Sequence, residues 1–292
     1  MTTTPNIVSP IPPVQRKADS SIGGLLLASG KITPENAERV LRMQKELGIR
    51  FGEAAQRLGL ITEQDIQQVL ARQFDYPYLQ EGETKFSNQL AAAFRPFSPQ
   101  VEALRAIRSQ LMLRWFTGAN KSLAIVGVNP GDGVSMFAAN LAVVFSQLGE
   151  NTLLVDANLR RPRQSEIFDL QTRAGLSDML AGRAGIDAVT KIDSFVSLSV
   201  LAAGTLPPNP QELLSRSAFG ALNATLAQNY DVVLYDVAAY ATGADLLSIA
   251  ARAGGVLLVA RKNETLLGDI NTMTEHLAQS GAKVVGSVLV EF

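Results

Sequence analysis

A six-residue apolar run that breaks into a glycine turn and then a helix constrains this chain more than any other feature. The run is Ser122-Leu-Ala-Ile-Val-Gly127, the turn is Val128-Asn-Pro-Gly131-Asp132-Gly133, and a helical pattern begins with Val134, Ser135 and Met136. Glycines let successive backbone N–H groups converge on one point, and a helix N-terminus adds partial positive charge there. Phosphate is the ligand such a turn cradles. Gly131, Asp132, Gly133, Val134, Ser135 and Met136 are therefore the candidate phosphate-contacting residues. Loops of this kind close on Gly-Lys-Ser/Thr. Here Val134 stands where the lysine belongs, and Ser135 remains as a candidate magnesium ligand.

Further short apolar runs follow at 152–156, 198–202, 231–236, 255–260 and 284–289, with helical patterns between them. That alternation predicts an α/β fold, a doubly wound and mostly parallel sheet whose ligand sits at the carboxyl ends of the strands. Together with the loop it describes a P-loop NTPase sheet of deviant type over residues 101–292. Two runs end in an aspartate, Asp156 and Asp236. A carboxylate at a strand tip beside a phosphate loop is the usual magnesium holder. Either one alone is equally an ordinary helix cap; their order after the glycine loop favours a site. Asp156 and Asp236 are the candidate catalytic carboxylates, and with Ser135 they form the candidate metal set. Arg160, in a cluster with Arg161 and Arg163, is a candidate phosphate contact.

The first third of the chain reads differently. Residues 1–19 are rich in Thr, Ser and Pro and predict a flexible tail. Over 20–80 an internal repeat appears with a constant offset, Gly23 to Gly52, Gly30 to Gly59 and Gln44 to Gln73. Such a repeat signals one supersecondary unit used twice. Each copy reads as a short helix, a glycine cap (Gly30 or Gly59), an N-cap threonine (Thr33 or Thr62) and a second helix. Residues 81–100 read as a polar connector.

Charge and composition narrow the function classes. With a net charge of −1, nucleic acid is not an expected partner. There is no cysteine, which removes disulfides and thiolate metal sites. The single histidine, His276, offers no route to a catalytic triad without convergent partners. No apolar run reaches the ~18 residues of a membrane span, and the first 20 residues lack a hydrophobic signal core. The expectation is a cytoplasmic protein with no membrane span of its own.

The segment 101–292 resembles the cytoplasmic domain of bacterial tyrosine kinases, of the chain-length-determinant type. Glu102-Ala-Leu-Arg105-Ala-Ile-Arg108 looks like that family's oligomerisation helix, and Asp156-Ala-Asn158-Leu-Arg160 like its second Walker A element. Gly175-Leu-Ser-Asp-Met-Leu-Ala-Gly182 and Leu201-Ala-Ala-Gly204-Thr-Leu-Pro-Pro-Asn-Pro-Gln-Glu-Leu-Leu214 read as family signatures, and Asp236-Val-Ala-Ala resembles Walker B. The resemblance implies ATP and magnesium as cofactors. It also implies homo-oligomers built through Glu102, Arg105 and Arg108, and a membrane polysaccharide co-polymerase as partner at the inner face of the cytoplasmic membrane. The departures are Val134 for lysine, Asn158 for the second aspartate and Ala238-Ala239 for a proline pair. No tyrosine cluster of the kind these kinases phosphorylate precedes Phe292. A degenerate kinase regulating exopolysaccharide polymerisation and export is the expectation; an active tyrosine kinase and a ParA- or MinD-like ATPase are the alternatives.

The repeat resembles the N-terminal domain of type II secretion and type IV pilus ATPases, some of which bind cyclic di-GMP. Carried onto this chain, that implies Gly23, Gly30 and Gln44 in the first copy and Arg50, Gly52, Gly59 and Gln73 in the second. Ser21 occupies the position of the first arginine. A helical protein-contact module with glycines as caps is the other reading.

Overall fold

The computed structural model describes residues 21–73, 78–79, 82 and 84–291. The expected tail at 1–19 and the side chain of Gln73 lie outside the described residues. The chain divides into two compact units, Met1–Tyr76 and Pro77–Phe292.

In the first unit the repeat forms α1 (Ile22–Ala28), α2 (Pro34–Leu47), α3 (Phe51–Arg57) and α4 (Glu63–Gln73). Leu26, Val40, Ala54, Ala55 and Val69 fill the core between them. Gly30 and Gly59 follow α1 and α3 with φ of +69° and +66°, the left-handed backbone that ends a helix most cheaply as glycine. Thr33 accepts from the Asn36 N–H. Thr62 and Asp65 cap each other's backbone N–H groups reciprocally. The other two repeated glycines sit where helices touch. A Cβ on Gly23 would lie 3.2 Å from the Phe51 ring, and one on Gly52 would lie 3.0 Å from Ile66.

The second unit is a seven-stranded sheet. Its strands are β1 (Ser122–Gly127), β2 (Thr152–Asp156), β3 (Val189–Lys191), β4 (Leu198–Leu201), β5 (Val232–Asp236), β6 (Gly255–Arg261) and β7 (Lys283–Val290). They lie in the order β3-β4-β2-β5-β1-β6-β7. All pairs are parallel except β3 with β4. The central strands are buried along their whole length, as a sheet covered on both faces requires. Connecting helices are α5 (Ala91–Phe94), α6 (Pro99–Arg114), α7 (Val134–Gln147), α8 (Gln164–Ile167), α9 (Leu176–Leu180), α10 (Pro210–Ser215), α11 (Ser217–Asn229), α12 (Asp245–Ala253) and α13 (Leu267–Gln279).

Two expectations change here. The boundary falls at 76/77, and Leu79 belongs to the second unit, where its N–H donates to the Ala93 carbonyl. The stretch 81–100 is not simply a polar connector. Leu90, Ala91, Ala92 and Ala93 are fully buried against α7, with Asn140 Oδ1 accepting from the Ala92 N–H at 2.8 Å and Gln147 donating to the Ala92 carbonyl. Small side chains let this short helix lie close on α7, and an Ala-rich run flanked by polar residues carries little periodic signal.

Candidate functional site

The phosphate loop leaves the tip of β1, and α7 begins at Val134, with Gly131 and Gly133 at φ of +98° and +79°. Asp132 is turned inward. Its Oδ2 accepts from the Asn129 N–H at 2.8 Å and its Oδ1 from the Thr265 hydroxyl, so the carboxylate staples the loop instead of facing an anion. Val134 is 9% exposed and packs into the core beneath Gly127. No ammonium group stands at this position.

A cavity of about 860 Å³ opens above the loop, within the range of small-molecule sites. Gly131, Asp132, Gly133, Val134, Ser135 and Met136, the candidate phosphate contacts, all line it. Asn158, Arg161 and Arg163 approach from the β2 side, Arg95 and Leu104 from the α5–α6 region, and Val288–Glu291 from the end of β7.

Arg160 does not line this cavity. Its guanidinium makes a paired contact with the buried Asp245 of α12, Nε to Oδ2 at 2.6 Å and Nη2 to Oδ1 at 2.9 Å. That bidentate pairing commits the guanidinium to the carboxylate. Of the neighbours of Arg160 that line the cavity, Arg163 is paired with Glu166, Nε to Oε2 at 2.9 Å. Asp245 is 85 residues away in the chain, so no local pattern hints at this pairing.

Asp156 and Asp236 end neighbouring parallel strands in direct register, both fully buried beneath the loop. Asp156 accepts backbone N–H groups from Asn158, Arg163 and Gln164. Asp236 is held by Gln164, whose Nε2 donates to its Oδ2 at 2.8 Å, and the nearby Ser135 side chain pulls its pKa down against the effect of burial. Burial raises the pKa of both carboxyls, and the charge of Asp236 raises Asp156 further, against the pull of its backbone donors. The pair therefore retains a proton well above the usual carboxylate range. The Ser135 hydroxyl and the Asp236 carboxylate, whose buried Oδ1 has no partner, form a hard-oxygen donor set of the kind that magnesium takes beside phosphates. The donor chemistry fits that ion, which Ser135 and Asp236 would hold; both oxygens of Asp156, the third residue of the expected set, accept backbone N–H groups, and the charge that should meet the phosphates is missing at Val134. Among the described residues no cluster of three or more His, Asp or Glu side chains could hold a metal alone.

The shared proton has a measurable consequence. Both carboxyls titrate above the unfolded value of about 3.9, so the native state keeps a proton that the unfolded chain has released. The pair's contribution is full below that value and is lost as pH rises through the neutral range. Melting temperatures of Asp236→Asn should accordingly fall less than those of the native protein between about pH 5 and 8.5. Parallel pH profiles would remove the shared proton.

The remaining candidates lie elsewhere. Arg105 donates to Glu102 and to the Pro96 carbonyl, and Arg108 to the Val144 carbonyl at the end of α7, so both arginines are engaged within their own unit while Glu102 is exposed. In the first unit Gly23, Gly30, Gly52 and Gly59 are accounted for by caps and helix contacts, Arg50 is an exposed N-cap of α3, and Gln44 is half-buried. Sequence reading missed Gln164, which belongs to no motif, and Arg95, which only the fold brings to the cavity.

No family model matches the chain. It is 33% identical over 202 residues to the tyrosine-protein kinase wzc of Salmonella typhimurium, covering 69% of this chain and 28% of that protein. It therefore spans little more than a quarter of the length of that first curated relative. To the tyrosine-protein kinase YwqD of Bacillus subtilis it is 32% identical over 206 residues, covering 70% of this chain and 87% of the relative. The solved kinase domain of the Escherichia coli tyrosine kinase ETK superposes with a TM-score of 0.68 at 29% identity, covering 75% of this chain and 85% of that one.

Proposed function

We propose, from the premise that this chain belongs to the bacterial tyrosine-protein kinase family, that it is a catalytically degenerate member regulating exopolysaccharide polymerisation and export. Its partner in this reading is a membrane chain-length determinant. In the same reading the chain works at the inner face of the cytoplasmic membrane through that partner, as a homo-oligomer; no described helix is long and apolar enough to cross a membrane.

The observation that carries the reading is the side chain of Val134. In an active loop an ammonium group there neutralises β- and γ-phosphate charge and follows it into the transition state. Here a methyl pair is buried in the domain core instead. Losing one charged donor costs roughly 1.5–3 kcal/mol of binding. A stabiliser of transition-state charge is worth about 10²–10³ in rate. When bound, magnesium would offset phosphate charge at Ser135 and Asp236. The backbone N–H groups of Gly131–Ser135 orient the phosphates, and Arg161 and Arg163 offer the nearest remaining positive charge.

The active-kinase reading draws on those two arginines, and one experiment separates the two. Calorimetric titration of the native chain with Mg-ATP and Mg-ADP should show binding weaker than micromolar, with no phosphotransfer to tyrosine peptides. Micromolar binding with transfer overturns degeneracy. Light scattering on the same sample should give a mass above the monomer, and a monomeric mass removes the oligomer.

A further inference from the structure

Gln164 is fully buried where the phosphate loop, β2 and β5 converge, although nothing in the sequence marks it. Its backbone N–H and that of Arg163 each donate to Asp156 at 2.9 Å, which pins the first residue of α8 to the tip of β2. From there the carboxamide reaches across to the neighbouring strand. Its Nε2 donates to Asp236 Oδ2 at 2.8 Å and to the Ser135 carbonyl at 3.0 Å. A carbonyl can only accept, so the network fixes which end of the amide is nitrogen. Two oxygens of the same cluster, Gln164 Oε1 and Asp236 Oδ1, are buried without a hydrogen-bond partner.

We propose that Gln164 is a built-in occupant of the divalent-cation position: its amide holds Ser135 and Asp236 in a metal-free arrangement and must swing out before a cation reaches Asp236. The inference rests on the reading of Ser135 and Asp236 as the magnesium ligands. Both hydrogens of the amide point at oxygens, Asp236 Oδ2 and the Ser135 carbonyl, that flank the ion's place. The amide satisfies them without adding net charge, so nothing draws phosphate to complete the balance. Neither Asp156 nor Asp236 lines the cavity, and Gln164 lies over Asp236 from the side of α8. Magnesium sheds its waters reluctantly and demands near-octahedral room, and the amide nitrogen, 2.8 Å from Asp236 Oδ2, takes a position on that carboxylate which the ion would need. The two unpartnered oxygens are what such a substitution leaves behind, because one amide cannot supply every contact a hydrated ion would make.

Manganese, a paramagnetic stand-in for magnesium, tests this without nucleotide. Mn²⁺ is titrated into the native chain, Gln164→Ala, Gln164→Ser and the double variant Gln164→Ala/Asp236→Asn, following the loss of the aqueous ion's paramagnetic resonance signal. Both single variants should bind at least ten-fold more tightly than the native chain, and the double variant should lose that gain. Gln164→Ser keeps a polar group at the site, so it carries the test if the alanine variant melts too low to titrate. Equal Mn²⁺ affinity across the native chain and the single variants overturns the proposal, as does a gain that survives in the double variant. Because no nucleotide is present, that failure is separable from the degenerate-kinase reading, which is overturned by micromolar Mg-ATP binding with phosphotransfer and not by the Mn²⁺ titration.

Discussion

Val134→Lys should bind Mg-ATP about 10- to 100-fold more tightly than the native chain, the equivalent of one recovered charged hydrogen bond. The backbone around it is already in the required form. Gly131 and Gly133 hold the left-handed conformations that open the loop, and α7 starts at the substituted residue. What the loop lacks is charge. Asp132 does not oppose the change, since its carboxylate is committed to Asn129 and Thr265. The gain should be larger for ATP than for AMP, because the lysine answers the terminal phosphates. Val134→Gln, similar in reach without the charge, should recover little. Calorimetry on the three proteins decides it, and a lysine variant that binds no better than the native chain means the site is closed for a reason other than the missing ammonium. Gln164 is then the next residue to remove.

Gly175→Ala should cost the second unit about 3 kcal/mol or more, among the largest effects open to a single methyl group. A Cβ on Gly175 would lie 2.1 Å from the Ala202 carbonyl oxygen and 2.4 Å from the Gly204 nitrogen. Both obstacles are backbone, and neither can rotate away. The two segments are zipped together there. Leu176 and Ser177 donate to the carbonyls of Ala202 and Ala203, and Asp178 Oδ2 accepts from Gly175 and Thr205. Gly204 has the same tightness from the other side, with φ of +79° and a would-be Cβ 2.3 Å from Asp178. Trp115, the single tryptophan of the chain, packs on Gly255 in the same unit and reports its unfolding by fluorescence. At about 2–4 °C per kcal/mol for a domain of this size, a melting temperature lowered by roughly 6–12 °C is expected. A change under about 1 °C would mean that the backbone yields there at little cost.

Those same two segments, 175–182 and 201–214, carried much of the family resemblance in the sequence. The structure explains them by close backbone packing at Gly175 and Gly204, not by contact with the cavity. Strong sequence signatures in this chain therefore mark where the fold is tight. The cavity residues named as differing from the family pattern, Val134, Asn158 and Ala239, were visible only as departures.

Local chemistry made the rest of the frame legible. Runs of five or six apolar residues interrupted by helical periods predict a buried parallel sheet, because a strand covered on both faces needs apolar side chains on both. The aspartates at 156 and 236 were placed at strand tips by the same reading, and the register confirms that they are neighbours. In the first unit, glycine and threonine at a 29-residue offset reported caps, which depend on a few adjacent residues and are readable in order (Gly30 to Gly59).

By itself, then, the sequence determined the phosphate loop, the missing ammonium, the strand tips and the paired helical repeat, since each depends on residues close together in the chain. Tertiary structure alone decided that β3 exists, a three-residue polar edge that is a strand only because β4 pairs with it. It decided that Leu90–Ala93 are core, and that Arg160 faces Asp245 instead of the cavity. It also put the amide of Gln164 between Ser135 and Asp236, 29 and 72 residues away. Those contacts are set by which elements the sheet brings side by side. A one-dimensional pattern of apolar and polar residues holds no record of that.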